Sequence, residues 1–121
     1  MSSKMNRKDL SNFIKESCAT ITGVFEVKNV DYGSNDDAFA NFRKTAERIV
    51  QPFMQKHGVR ISIEEAMFLV LLVLQDKHLV ALSQTGLSGK EVDERLGDVA
   101  VYSLIAKAMY SESRVSEEIG K

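Results

Sequence analysis

Cysteine, proline and tryptophan are almost missing from this chain, and charge of neither sign dominates it. A single cysteine, Cys18, in 121 residues rules out an internal disulfide and a cysteine-rich zinc site. Such a chain suits a reducing, cytoplasmic setting. Cys18 sits at helical spacing among Ile14, Ile21 and Phe25, so it is expected to be a buried, inert thiol. The one proline, Pro52, leaves a single place where a helix should be interrupted from within. With 16 basic and 17 acidic side chains the net charge is -1, which gives no reason to expect general binding to nucleic-acid backbone. The longest apolar run, Ala66 to Leu74, is shorter than the roughly 20 residues of a membrane span. Met1 to Lys8 is polar and lacks the apolar core of a signal peptide. No membrane partner is expected. His57 and His78 are not at a metal-ligand spacing, and His78 is expected to face solvent beside Lys77.

Helical periodicity fills the chain. Leu10, Phe13, Ile14, Ser17, Cys18, Ile21, Val24 and Phe25 recur every three or four residues and predict a helix from about Asp9 to Lys28. Turn-forming residues between Val27 and Asp37 then break the pattern. A second helix comes next, with Phe39, Phe42, Ala46, Ile49, Val50 and Phe53 on one face. Asp36 and Asp37 suit the positive end of its dipole, Pro52 should bend it near Ile49, and Gly58 should stop it.

Ser62-Ile63-Glu64-Glu65 has the spacing of a capping box. It predicts a third helix running through the apolar stretch to Leu82. A helix apolar all round must be covered on nearly every side, which in a chain this small predicts a homo-oligomer built on that helix, sensitive at Val70 and Leu71. Gln84 to Leu87 breaks the stripe. Ser88-Gly89-Lys90-Glu91 repeats the capping-box spacing, and Val92, Leu96, Val99, Ala100, Leu104 and Met109 mark a fourth helix. The fold expected is an all-α, single-domain four-helix bundle over residues 9–110, between a flexible N-terminus (1–8) and a polar, frayed tail (111–121).

The chemistry concentrates in the fourth helix. Glu91, Glu94 and Asp98 share one face, and Asp98 also lies beside the apolar positions Leu96 and Val99. Carboxylates on one face can hold a hard divalent cation, which in turn bridges phosphate oxygens. The plain alternative is a solvated face in which Glu91 caps the helix and Asp98 pairs with a cation such as Lys77, Arg43 or Arg48. Asp31-Tyr32-Gly33 reads as a turn, with a tyrosine ring available to a base or ribose. There is no nucleophile elbow and no Walker loop. Gly86 to Lys90 lacks both the strand and the loop length of the latter. No catalytic residue is assigned.

Glu94-Arg95-Leu96-Gly97-Asp98-Val99 resembles the second acidic motif of the MazG-like nucleotide pyrophosphohydrolases. Those all-α enzymes hold magnesium with Glu-x-x-Glu on one helix and Glu-x-x-Asp on another. Asp98 matches the aspartate; Arg95 replaces the glutamate three residues before it, and Phe68 stands three after Glu65 where the first motif wants an acid. A second resemblance is to the phage-type nucleotide modification associated domain proteins. It is carried by Asp31-Tyr32-Gly33, Asn41-Phe42, the apolar run from Met67 to Leu74, and Asp98 with Tyr102. Of that group's Lys-x-x-Arg, only Lys77 remains.

These resemblances imply a phage or prophage nucleotide-binding protein in a bacterial cytoplasm. They imply ligand contacts from Asp31, Tyr32, Gly33, Asn41, Lys77, Glu94, Arg95, Asp98 and Tyr102, with magnesium on Glu94 and Asp98. The missing acids predict weak or absent hydrolysis of ordinary nucleoside triphosphates. Two readings stand beside this one. One is a non-catalytic sponge that sequesters a nucleotide immune signal against host defence. The other is a helical protein-interaction module with no nucleotide ligand.

Overall fold

A computed structural model describes residues 4–32 and 36–120, with the side chains of 28–32 and 115–120 outside that description. The described residues are mostly helical and contain no strand. Helix α1 spans Arg7–Tyr32. Helix α2 (Ala40–Thr45) passes through a π-helical turn (Ala46–Val50) into α3 (Gln51–Lys56), so the three make one rod. Helix α4 covers Ile63–Thr85, a 3-10 turn covers Gly86–Ser88, and α5 covers Val92–Gly120. The all-α expectation holds.

The centre is an antiparallel hairpin of α4 and α5, with the α2–α3 rod packed on α4 and α1 touching α2 and α5. Its core is one cluster, in which Ala46, Ala66 and Leu71 are wholly buried with Phe42, Met67, Ile105 and Met109 around them. Ser62 caps α4 as its spacing predicts, its hydroxyl oxygen accepting from the Glu65 N–H at 3.1 Å. Gly86, at φ 59, turns the chain out of α4 in a conformation that a side chain would strain. At Gly89 a Cβ would lie 2.8 Å from the Thr85 side chain, so the tight return also needs glycine there. The Gln75 amide locks the register by donating to the Val99 carbonyl at 3.0 Å and to the Ser103 hydroxyl at 2.9 Å.

Several local expectations change. Helix α1 continues four residues past Lys28, so Asp31 and Tyr32 lie in its last turn and not in a loop; their side chains, and Gly33 altogether, lie outside the described residues. The run of turn-type residues is overridden by continuation of the helix. Cys18 is exposed, because α1 is covered along only part of its apolar stripe. Pro52 offers no N–H to the carbonyl four residues back, and the rod accommodates it by widening into the π turn just before it. The widened turn rotates the C-terminal half of the rod, so Phe39, Phe42 and Ala46 are buried while Ile49 and Phe53 are exposed. The second capping box does not form. Ser88 donates to the Thr85 carbonyl within the 3-10 turn, and α5 starts where the Glu91 carbonyl accepts from the Arg95 N–H. The end of α5 is helical to Gly120. Val70 and Leu71 are buried in the chain's own core, so they are not interface positions.

Asp37 starts the α2 rod. Its carboxylate accepts from the Phe39 N–H at 3.0 Å and from Arg43 Nε at 2.7 Å. The Arg43 hydrogen bond holds the Asp37 carboxyl below the usual carboxylate range. A depressed folded pKa stabilises the fold above the unfolded value of about 4, and the gain is lost as pH falls through the folded value. Asp37→Asn keeps an acceptor for the Phe39 N–H but removes the charge. At neutral pH it is expected to cost about 1 kcal/mol, reduced by solvent screening of this partly exposed pair. The difference in urea midpoint between wild type and variant should shrink as pH drops below about 4. An equal difference at pH 7 and pH 3 would contradict the assignment.

Candidate functional site

The α4–α5 register decides which polar groups meet. With Gln75 bonded to Val99 and Ser103, His78 lies one turn further along α4 and faces the turn of α5 that carries Arg95 and Asp98. His78 Nδ1 is 3.3 Å from Arg95 Nη1 and 3.8 Å from Asp98 Oδ2. Its side chain is only 12% exposed, and the Tyr102 ring stands 5.9 Å away between centroids. Asp98 is half-buried, as expected of an acid on the apolar side of its helix, and the side chain facing it is His78. Arg43, a candidate for that role by sequence, pairs instead with Asp37 and reaches Glu112 at 3.9 Å.

Arg95 and Asp98 both face the same nitrogen, and the His78 tautomer decides which of them it can bond. If Nδ1 is unprotonated it accepts from the Arg95 guanidinium. If Nδ1 carries the proton it donates toward Asp98, and Arg95 is then repelled. Arg95 is held from its other side by Glu91, whose carboxylate accepts from Nη2 at 3.2 Å one turn earlier. Glu91 therefore belongs to a charge pair on the rim, and Arg95 is aimed by two partners.

Glu94 and Asp98 line a cleft of about 820 Å³ between α1 and α5. Its walls mix carboxylates (Glu16, Asp93, Glu94, Asp98) with the apolar side chains Phe13, Ile21, Val24, Leu96 and Val101. Ser17 and Thr20 add hydroxyls on the α1 side. Of the residues singled out in the sequence, Glu94 and Asp98 line this cleft, and Arg95 and Tyr102 lie with Asp98 in the His78 cluster beside it. Asn41 is exposed on α2, the rod whose Arg43 reaches Glu112. Lys77 is exposed on α4. Among the described residues, no three His, Cys, Asp or Glu side chains converge as a metal-binding group.

Glu64 and Glu65, the acids that open α4, border a separate pocket of about 190 Å³ with Glu112 and Ser113. Glu112 is fourteen residues beyond Asp98 on the same helix, about 21 Å at 1.5 Å per residue. Within one chain the α4 acids and the Asp98 face therefore stand at opposite ends of the hairpin.

His78 is the residue that sequence reading missed. The signal was the hairpin itself. Folding the chain about the Gly86–Gly89 break pairs positions equidistant from it, and ten residues back from Ser88 is His78 while ten forward is Asp98.

A double-mutant cycle tests the cluster. His78→Ala, Asp98→Asn and the pair are expected to be non-additive in unfolding free energy by about 0.5–1 kcal/mol. Additivity within about 0.3 kcal/mol would remove the His78–Asp98 interaction from the account. No family model, no curated protein and no solved structure matches this chain.

Proposed function

We propose that this protein binds a nucleotide or nucleotide-derived small molecule in the α1–α5 cleft and releases it chemically unchanged. The observation that carries the reading is the junction of Arg95, Tyr102 and His78 with Asp98, next to an open cleft that Asp98 and Glu94 also line. A guanidinium suits a phosphate. An aromatic face and apolar walls suit a base. Carboxylates can accept from base amino groups or ribose hydroxyls, or hold a magnesium ion that bridges to phosphate. The resemblance to MazG-like and nucleotide modification associated proteins points to the same ligand class, to a phage or prophage origin and to a bacterial cytoplasm.

Binding is favoured over cleavage by the positions of the acids. A magnesium-dependent pyrophosphohydrolase needs carboxylates that converge on the ion. Here Arg95 replaces one of the expected acids, Phe68 another, and Glu64 and Glu65 stand at the far end of the hairpin from Asp98. A protein that holds a nucleotide without consuming it acts as a sponge, and sequestering a signalling nucleotide against host defence is the use this reading favours.

The test is a panel of mono-, di-, tri- and cyclic nucleotides, with and without magnesium. At least one is expected to raise the melting temperature and to be recovered intact after the protein is heat-denatured. Asp98→Asn or Glu94→Gln is expected to weaken binding about tenfold or more, the scale of one lost charged hydrogen bond. Turnover abolished by Asp98→Asn would replace the sponge with an enzyme. Neither binding nor turnover across the panel would overturn the nucleotide reading and favour a helical interaction module.

A further inference from the structure

The isolated chain exposes far more surface than its mass requires. Its accessible area is 9546 Å², whereas a compact 13.5 kDa chain exposes about 6,500 Å² by the usual scaling. The excess, about 3,000 Å², exceeds the roughly 800 Å² per partner that a stable protein interface takes. Part of it lies along the side of α4 turned away from the core. Leu69, Val73, Asp76, Lys77, Val80 and Gln84 recur at spacings of three and four, opposite the face that buries Met67 and Leu71. Val73 is 70% exposed and Val80 47%. Branched valines are poor helix formers, so helix propensity gives no reason for them at open positions.

We propose that this outward face of α4 is the two-fold interface of a homodimer, in which the α4 helices of two copies cross antiparallel near Asp76 and Lys77. Those two residues are adjacent, opposite in charge and at the centre of the stripe from Leu69 to Gln84. A two-fold axis through that centre sets Asp76 of each copy beside Lys77 of the other, and brings Val73 of each toward Val80 of the other. The pattern is self-complementary, as an isologous contact requires. A lipid bilayer is the competing occupant, because Ile63–Ser88 is long and apolar enough to span one. It fits less well: Asp76, Lys77 and His78 would fall near the middle of the span, where charge is costly. The inference stands independently of the nucleotide reading.

Light scattering on the full chain at micromolar concentration is expected to give twice the chain mass. Val73→Glu and Val80→Glu, both at exposed positions, should leave the helical circular dichroism unchanged and raise the dimer dissociation constant at least tenfold. Asp76→Lys should weaken the dimer by setting lysine beside lysine, and adding Lys77→Asp should restore it. Should the valine variants prove insoluble, Asp76→Cys in a Cys18→Ser background is expected to link two chains through a short bis-maleimide. A monomer at all micromolar concentrations, a dimer indifferent to all these changes, or sedimentation of the chain with phosphatidylcholine–phosphatidylglycerol vesicles would overturn the proposal.

Discussion

Packing of α4 against α5 is the constraint on which the rest of this molecule depends. Leu71, wholly buried, with Met67, Ile105 and Met109 beside it, gives the hairpin its apolar seam. Burying such side chains is worth roughly 1.5–3 kcal/mol each, enough to dominate a small domain's stability. The seam alone would tolerate sliding. The amide of Gln75, bonded at once to Val99 and Ser103, and the glycine return at Gly86 and Gly89 remove that freedom. Once the register is set, His78 has to meet Arg95 and Asp98, and the α4 acids have to lie at the opposite end from them.

The sequence made the helices legible because local chemistry and global packing agree there. Ser62 is a cap in the pattern and in the structure, Gly58 at φ 78 is the stop, and Pro52 marks the interruption. It failed where tertiary context overrode local preference. Residues to Tyr32 continue α1 despite their turn-type neighbours, and the π turn rotated Ile49 and Phe53 off a face that simple periodicity assigned to the core. For the site, Glu94, Arg95, Asp98 and Tyr102 were visible as spacing on one helix. His78 was not, because its role depends on a contact between positions 20 residues apart, which periodicity along one helix cannot report. The same limit applied to Arg43, whose partners are Asp37 and Glu112.

Charge is what the proposed receptor role rests on. Arg95 is held between Glu91 and His78, so its guanidinium is already oriented before any anion arrives. Preorganisation of this kind lowers the cost of binding. Under the proposed nucleotide reading, the carboxylates of the adjoining cleft would disfavour bare phosphate and favour a cation-bridged phosphate or the hydrogen-bond donors of a base and sugar.

The location of the site is the central claim, and backbone amide chemical shifts measure it directly. On titration with a nucleotide that raises the melting temperature, the account expects the largest shifts at His78, at Glu94 to Tyr102, and on the α1 side at Phe13 to Val24. Largest shifts at Glu64, Glu65 and Glu112, at the other end of the hairpin, would contradict it.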